Sequence, residues 1–305
     1  MILGRLQAGY EVKSLDWPAR VIEFILAALL FIAPFAFGIV DPWSEQVALV
    51  LVGCMAVLFM LRLLLISDVR VCWHGSYVLL FLFILIVSLQ LIALPSDLVR
   101  LLSPHTVDIK TNLLSGLAIS NLNLSRMTLS FYPNATVHDL RLILAVATVF
   151  FIAFNQFTSL ASIKRLLTYI TVVGGAVAIL AVLQFLTQTD KIYWVVPIPP
   201  HTLADGGPFV NHSHFSQFMN LSVGAAMSLI LIRIRELSMD VQQDFSILGF
   251  LRSPEAKSLL LPILTVVLGA TAVFISLSRG GIISLLLAGS FITLLMALGS
   301  HQKAH

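Results

Sequence analysis

Residues 258–300 read SLLLPILTVVLGATAVFISLSRGGIISLLLAGSFITLLMALGS, and the one charged side chain among them is Arg279. The flanks, 258–278 and 280–300, are uncharged. Each is long enough for a membrane-crossing helix, which needs ~20 apolar residues because the hydrocarbon core is ~30 Å thick and a helix rises ~1.5 Å per residue. Two such helices meeting at the SLSRGG turn, 276–281, put Arg279 at a membrane surface. The rest of the chain decides which surface.

The 305 residues are 58% apolar and 11% charged, with a mean hydropathy of +0.98. Soluble domains carry about a quarter charged residues, so this composition predicts an integral membrane protein. Eight runs are long and apolar enough to cross: about 21–40, 45–66, 76–95, 138–157, 164–187, 212–232, 259–277 and 281–299. They are continuously apolar and do not alternate, which selects helices over a barrel. The expected fold is an all-α, polytopic membrane helix bundle of about eight spans. It comprises a cytoplasmic N-terminal segment at 1–20, a transmembrane domain at 21–300 and a tail at 301–305. The first run lacks a small-residue cleavage site and reads as an uncleaved span.

Lysine and arginine set the orientation. With the N-terminus inside, twelve of the eighteen basic residues fall on the inner side and six, among them Arg100, Arg141 and Arg279, on the outer side. Arg279 therefore faces outward, against the bias. Two outer loops are large, about 96–137 and 188–211. The first is rich in Ser, Thr and Asn and reads as irregular surface structure with at most a short interfacial helix. In the second, Tyr193 and Trp194 suit a headgroup-level anchor, and Gly206-Gly207-Pro208 reads as a turn. The inner segment 233–258 is charged.

A net charge of +3 is too small to point to nucleic acid. Cys54 and Cys72 form no disulfide framework or metal motif, and Cys54 reads as a buried small hydrophobe. There is no Walker loop, dinucleotide fingerprint or HExxH, so neither a cofactor nor a metal is expected.

Three polar clusters remain on the outer side. In the first, a helix starting near Gly280 would point its unpaired N–H groups outward. Ser278, Arg279 and Gly280 would then grip a phosphate or pyrophosphate, with the guanidinium as a planar fork and the glycines allowing close approach. The alternative is an arginine snorkelling to headgroups. The second cluster is GGPFVNHSHFSQF, 206–218. Asn211 or Ser213 caps the sixth span, and His212 and His214 lie at its first turn, able to bind hydroxyls or act as a base. Their i, i+2 spacing does not share one helix face. The third is LSFYPNATVHDLRLILA, 129–145. Asn134 or Thr136 caps the fourth span, and Arg141 is about a turn inside it, either facing a polar cavity or snorkelling.

In their order and apolar context, LSFYPNAT, GPFVNHSHFSQFM and SLSRGG resemble segments of the O-antigen ligase and polymerase superfamily of bacterial envelope glycosyltransferases, over roughly residues 20–300. The resemblance implies an inner-membrane protein acting on undecaprenyl-diphosphate-linked glycans at the periplasmic face, with Arg279 on the carrier pyrophosphate and no nucleotide sugar or metal. Such proteins serve lipopolysaccharide or exopolysaccharide synthesis as ligases or polymerases. The family's large periplasmic loop, with the histidine usually taken as catalytic, would follow the last run here. The chain is accordingly expected to be an N-terminal portion, inactive alone: a truncated product, a split-gene half partnered by a separate C-terminal half, or an incomplete gene model. Two other function classes fit the same composition: a non-catalytic membrane scaffold, and a transporter or flippase of a lipid-linked or anionic solute. Against transport, no span carries a clear mid-membrane ion pair or break.

Overall fold

The computed structural model describes residues 16–66, 69–115, 125–198, 204–240 and 254–301. Ten helices and two short strand pairs lie among them. Six helices are long and apolar enough to cross a membrane: α1 (Trp17–Phe35), α2 (Pro42–Leu65), α6 (Pro133–Gln156), α7 (Leu160–Leu186), α8 (His212–Asp240) and α9 (Pro254–Ile275). The chain is thus an all-α, multi-pass membrane protein by helix length and composition. Phe24, Leu64, Leu79 and Val146 are each more than two-thirds exposed. Apolar side chains so exposed suit lipid and not water. Cys54, expected to be buried, is exposed on α2, because that helix hides only a narrow stripe of its surface and a thiol is apolar enough to face lipid.

The chain forms two compact units, 1–19 with 52–155, and 20–51 with 156–305. In the first, the expected span at 76–95 is a shorter helix, α3 (Ser76–Leu89). The chain leaves it where the Gln90 carbonyl accepts the Ser130 amide at 2.9 Å. It continues into β1 (Ala93–Pro95), paired antiparallel with β2 (Arg126–Thr128) with Leu94 opposite Met127. Between the strands lie α4 (Ser96–Leu102) and α5 (Pro104–Ser115). Val99, Val107 and Met127 form a small core, and Lys110 Nζ donates to the Thr128 and Ser130 carbonyls at 2.7 and 2.6 Å. Burial lowers the Lys110 pKa. The loop expected to be irregular is therefore folded over its described residues; 116–124 lie outside them.

Several helices begin earlier than the apolar runs suggest. Pro42 and Pro133 open α2 and α6, where a missing N–H costs nothing and φ is already helical. Asn134 and Thr136 are consequently inside the first turn of α6, and Thr136 Oγ1 shares a 2.7 Å bond with Ser130 Oγ. Ser159 caps α7 in a reciprocal capping box with Ser162. The charged inner segment is shorter than expected, since α8 continues to Asp240 and α9 begins at Pro254. Residues 1–15 and 241–253 are outside the description.

The second unit is built on α7, α8 and α9, which pack pairwise, with α10 (Arg279–His301) against α8 and α9. Val177, Ala178, Ala181, Phe215, Met219, Ala272 and Val273 are its dry centre. Small residues let the backbones approach, as in other membrane helices. A side chain on Gly174 would collide with Ser222, and a Cβ on Gly175 would stand 2.8 Å from Thr265 Oγ1. Thr265 in turn donates to the Thr171 carbonyl at 3.2 Å. The outer loop carries β3 (Lys191–Ile192) paired with β4 (Val196–Pro197). Tyr193 is tied inward, its hydroxyl donating to the Phe35 carbonyl at 2.6 Å, while Trp194 is exposed and donates to Thr187 Oγ1. The apolar part of α10 described with its side chains, Arg279–Leu294, is shorter than the six spanning helices.

Candidate functional site

The turn from α9 to α10 is tight. Leu277 has φ +52°, a left-handed conformation costly for a branched side chain, and it is exposed. Ser278 is buried and caps α10: its Oγ accepts the Gly281 amide at 3.3 Å and its carbonyl accepts the Ile282 amide at 2.9 Å. Arg279 is the first residue of α10 and is exposed.

α8 clamps this turn. Ser216 Oγ donates to Ser278 Oγ at 3.0 Å, and Asn220 Nδ2 donates to the Gly281 carbonyl at 3.0 Å. A Cβ on Gly281 would collide with the Ser216 side chain. Gly281 thus serves helix packing and not, as its place in the motif suggests, the approach of a ligand. Gly280 has nothing within 4 Å of the place a Cβ would take, so it alone of the two leaves room beside the helix end.

The start of α8 is capped by Asn211, whose Oδ1 accepts the Ser213 and His214 amides at 2.8 and 3.4 Å. His212 Nδ1 stands 2.9 Å from Asp205 Oδ1, and its side chain is 43% exposed against 12% for Asp205. Asp205 is held by a loop that tucks inward. Ala204, Gly206, Gly207 and Pro208 are all buried. Gly207 has φ +56°, and a Cβ there would press on Ala181 at 3.3 Å. The Ala204 amide bonds the Thr189 carbonyl at 2.9 Å. Burial pushes the Asp205 carboxyl above its usual range, and the charge of His212 opposes that.

These residues border one open cavity of about 500 Å³, lined by Ser278, Arg279, Gly280, His212, Asp205 and Ser213 among others. Four of the residues expected from sequence therefore meet in one place. Asn211 acts as a cap and is not in the lining. His214 is exposed on the first turn of α8 and is not in it either. Arg141, exposed on α6, belongs to the first unit. His201 lies outside the described residues. Asp205 was the residue sequence reasoning missed. Its only signal was an acid seven positions before a helix-opening histidine.

The cavity offers a forked cation, a helix N-terminus with its positive end, and a carboxylate-oriented imidazole. Such a set has the chemistry to hold a phosphate group and to take a proton beside it. No group of three or more His, Cys, Asp and Glu side chains among the described residues could hold a metal ion. No protein-family model, curated protein or solved structure matches the chain.

Proposed function

We propose that the chain is a bacterial inner-membrane protein of the O-antigen ligase and polymerase type, which handles undecaprenyl-diphosphate-linked glycans at the periplasmic face. The observation that carries this reading is the single cavity in which Ser278, Arg279 and Gly280 meet His212. Arg279 takes the diphosphate oxygens as a bidentate fork. The dipole of α10 adds to that attraction. Leu277, 77% exposed beside the arginine, offers an apolar contact for the prenyl chain where it leaves the diphosphate.

In glycan transfer, a hydroxyl oxygen bonds to the anomeric carbon, the bond from that carbon to the phosphate oxygen breaks, and the diphosphate leaves on its carrier. The hydroxyl proton needs an acceptor. Among the described residues, His212 is the histidine in this cavity, and with Asp205 Oδ1 2.9 Å from its Nδ1 the other ring nitrogen, Nε2, is the one to take the proton. Arg279 stabilises the charge that builds on the leaving diphosphate.

The test is photo-crosslinking with a diazirine-bearing undecaprenyl diphosphate. Label should enter the peptides holding 205–213 and 276–280, and excess unlabelled undecaprenyl diphosphate should block it. Label spread evenly over the exposed faces of α2 and α6 would contradict the reading.

A further inference from the structure

The opposite ends of α7, α8 and α9 enclose a second cavity, of about 390 Å³. Three of its lining residues are charged: Lys164, Arg233 and Glu236. Glu236 pairs with Lys164 through Oε1, and its Oε2 lies 3.3 Å from Arg233 Nη1. Among the described lining residues, two cations and one carboxylate leave one positive charge. Arg233 Nε is buried and has no hydrogen-bond partner among the described residues. A buried donor left unpaired is costly, and the described lining is short of one negative charge. One anionic oxygen group against the Arg233 guanidinium and the Lys164 ammonium supplies that charge.

The remainder of the lining is mostly apolar, with Leu229, Ile232 and Pro262 prominent. A small soluble anion leaves that surface bare; a hydrocarbon chain covers it. The rise along α8 from His212 to Arg233, at ~1.5 Å per residue, is roughly 30 Å, the thickness of the hydrocarbon core. If Arg279 stands at one membrane surface, Arg233 stands at the other. Basic pockets between helices at that level meet lipid headgroups.

We propose that this cavity binds one anionic phospholipid of the phosphatidylglycerol kind. The phosphodiester, with its single charge, sits on the Arg233 guanidinium with Lys164 beside it. One acyl chain lies along Leu229, Ile232 and Pro262. Phosphatidylcholine is disfavoured because its trimethylammonium group cannot donate a hydrogen bond to Glu236 and adds a second positive charge to a lining that already has an excess.

The full chain, purified in mild detergent, is titrated with phosphatidylglycerol and with phosphatidylcholine of the same acyl chains, and bound lipid is read by native mass spectrometry. One phosphatidylglycerol should be retained. Arg233→Gln should weaken it roughly tenfold, the value of one charge-assisted bond. Arg235→Gln, outside the cavity lining, should not. Thr168→Trp keeps the charges and fills the space for the chain, so it should also weaken retention, and it decides the matter if Arg233→Gln does not fold. Wild-type retention in both Arg233→Gln and Thr168→Trp would overturn the proposal, as would equal retention of the two lipids. Displacement of phosphatidylglycerol by equimolar inorganic phosphate would overturn the lipid assignment and make this a site for free phosphate.

Discussion

His212 Nδ1 lies 2.9 Å from Asp205 Oδ1, a close charge contact, although neither atom has a hydrogen-bond partner among the described residues. A carboxylate oxygen at that distance favours the neutral tautomer with its proton on Nδ1 and its lone pair on Nε2. With ¹⁵N-histidine, and with His212→Gln to assign the signal, His212 should show a protonated Nδ1. Asp205→Ala removes the neighbouring carboxylate and should lose that signature. The Nε2–H form in the wild type would contradict the pairing.

Gly280 and Gly281 should differ although they are neighbours. Gly281→Ala forces a Cβ against Ser216 and should lower stability by about 1–3 kcal/mol. Gly280→Ala meets open space and should be neutral or stabilising, since alanine is favoured over glycine in a helix by up to about 1 kcal/mol. Adding Ser216→Gly to Gly281→Ala should recover much of the loss. Melting in detergent checks all three, and equal melting of the two single variants would count against the packing.

Why did the sequence show six of its eight expected spans and half of the site? The six long helices follow from hydropathy alone, and their early starts follow from Pro42 and Pro133. The folded segment after α3 was hidden because its core is three residues, Val99, Val107 and Met127, too far apart to make a periodic pattern. Arg279 and His212 were legible as polar residues at helix starts. The Asp205 pairing was not, since it depends on how Ala204–Pro208 packs. Gly281 carried two readings in one letter, and only the position of Ser216 separates them.

Tyr193 gives a pH dependence. Burial raises its pKa from 10.0 to about 12. A folded value above the unfolded one means its contribution is complete below pH 10 and is lost as pH rises toward 12. Tyr193→Phe should cost about 1 kcal/mol near neutrality through the lost bond to the Phe35 carbonyl. The difference in melting temperature between wild type and variant should shrink from pH 10 to pH 12. A constant difference would contradict the assignment.

Asp205 and Gly280 line one cavity, so reporters placed at Gly206 and Gly280 must agree. Both should read periplasmic, as should one at Ser120. Fusions at Ser67 and Arg252 should read cytoplasmic. A cytoplasmic signal at Gly206 would reverse the orientation and take the cavity away from the periplasmic face.

The account turns on Arg279 as a fork for phosphate. The direct measurement is the affinity of the purified chain for undecaprenyl diphosphate in the wild type, Arg279→Lys and Arg279→Ala. Removing a fork-to-phosphate contact should weaken binding by about ten- to a hundredfold in Arg279→Ala. Arg279→Lys keeps the charge without the fork and should recover only part of it. A residue that merely snorkels to headgroups would leave the affinity untouched, so three equal affinities would contradict the account.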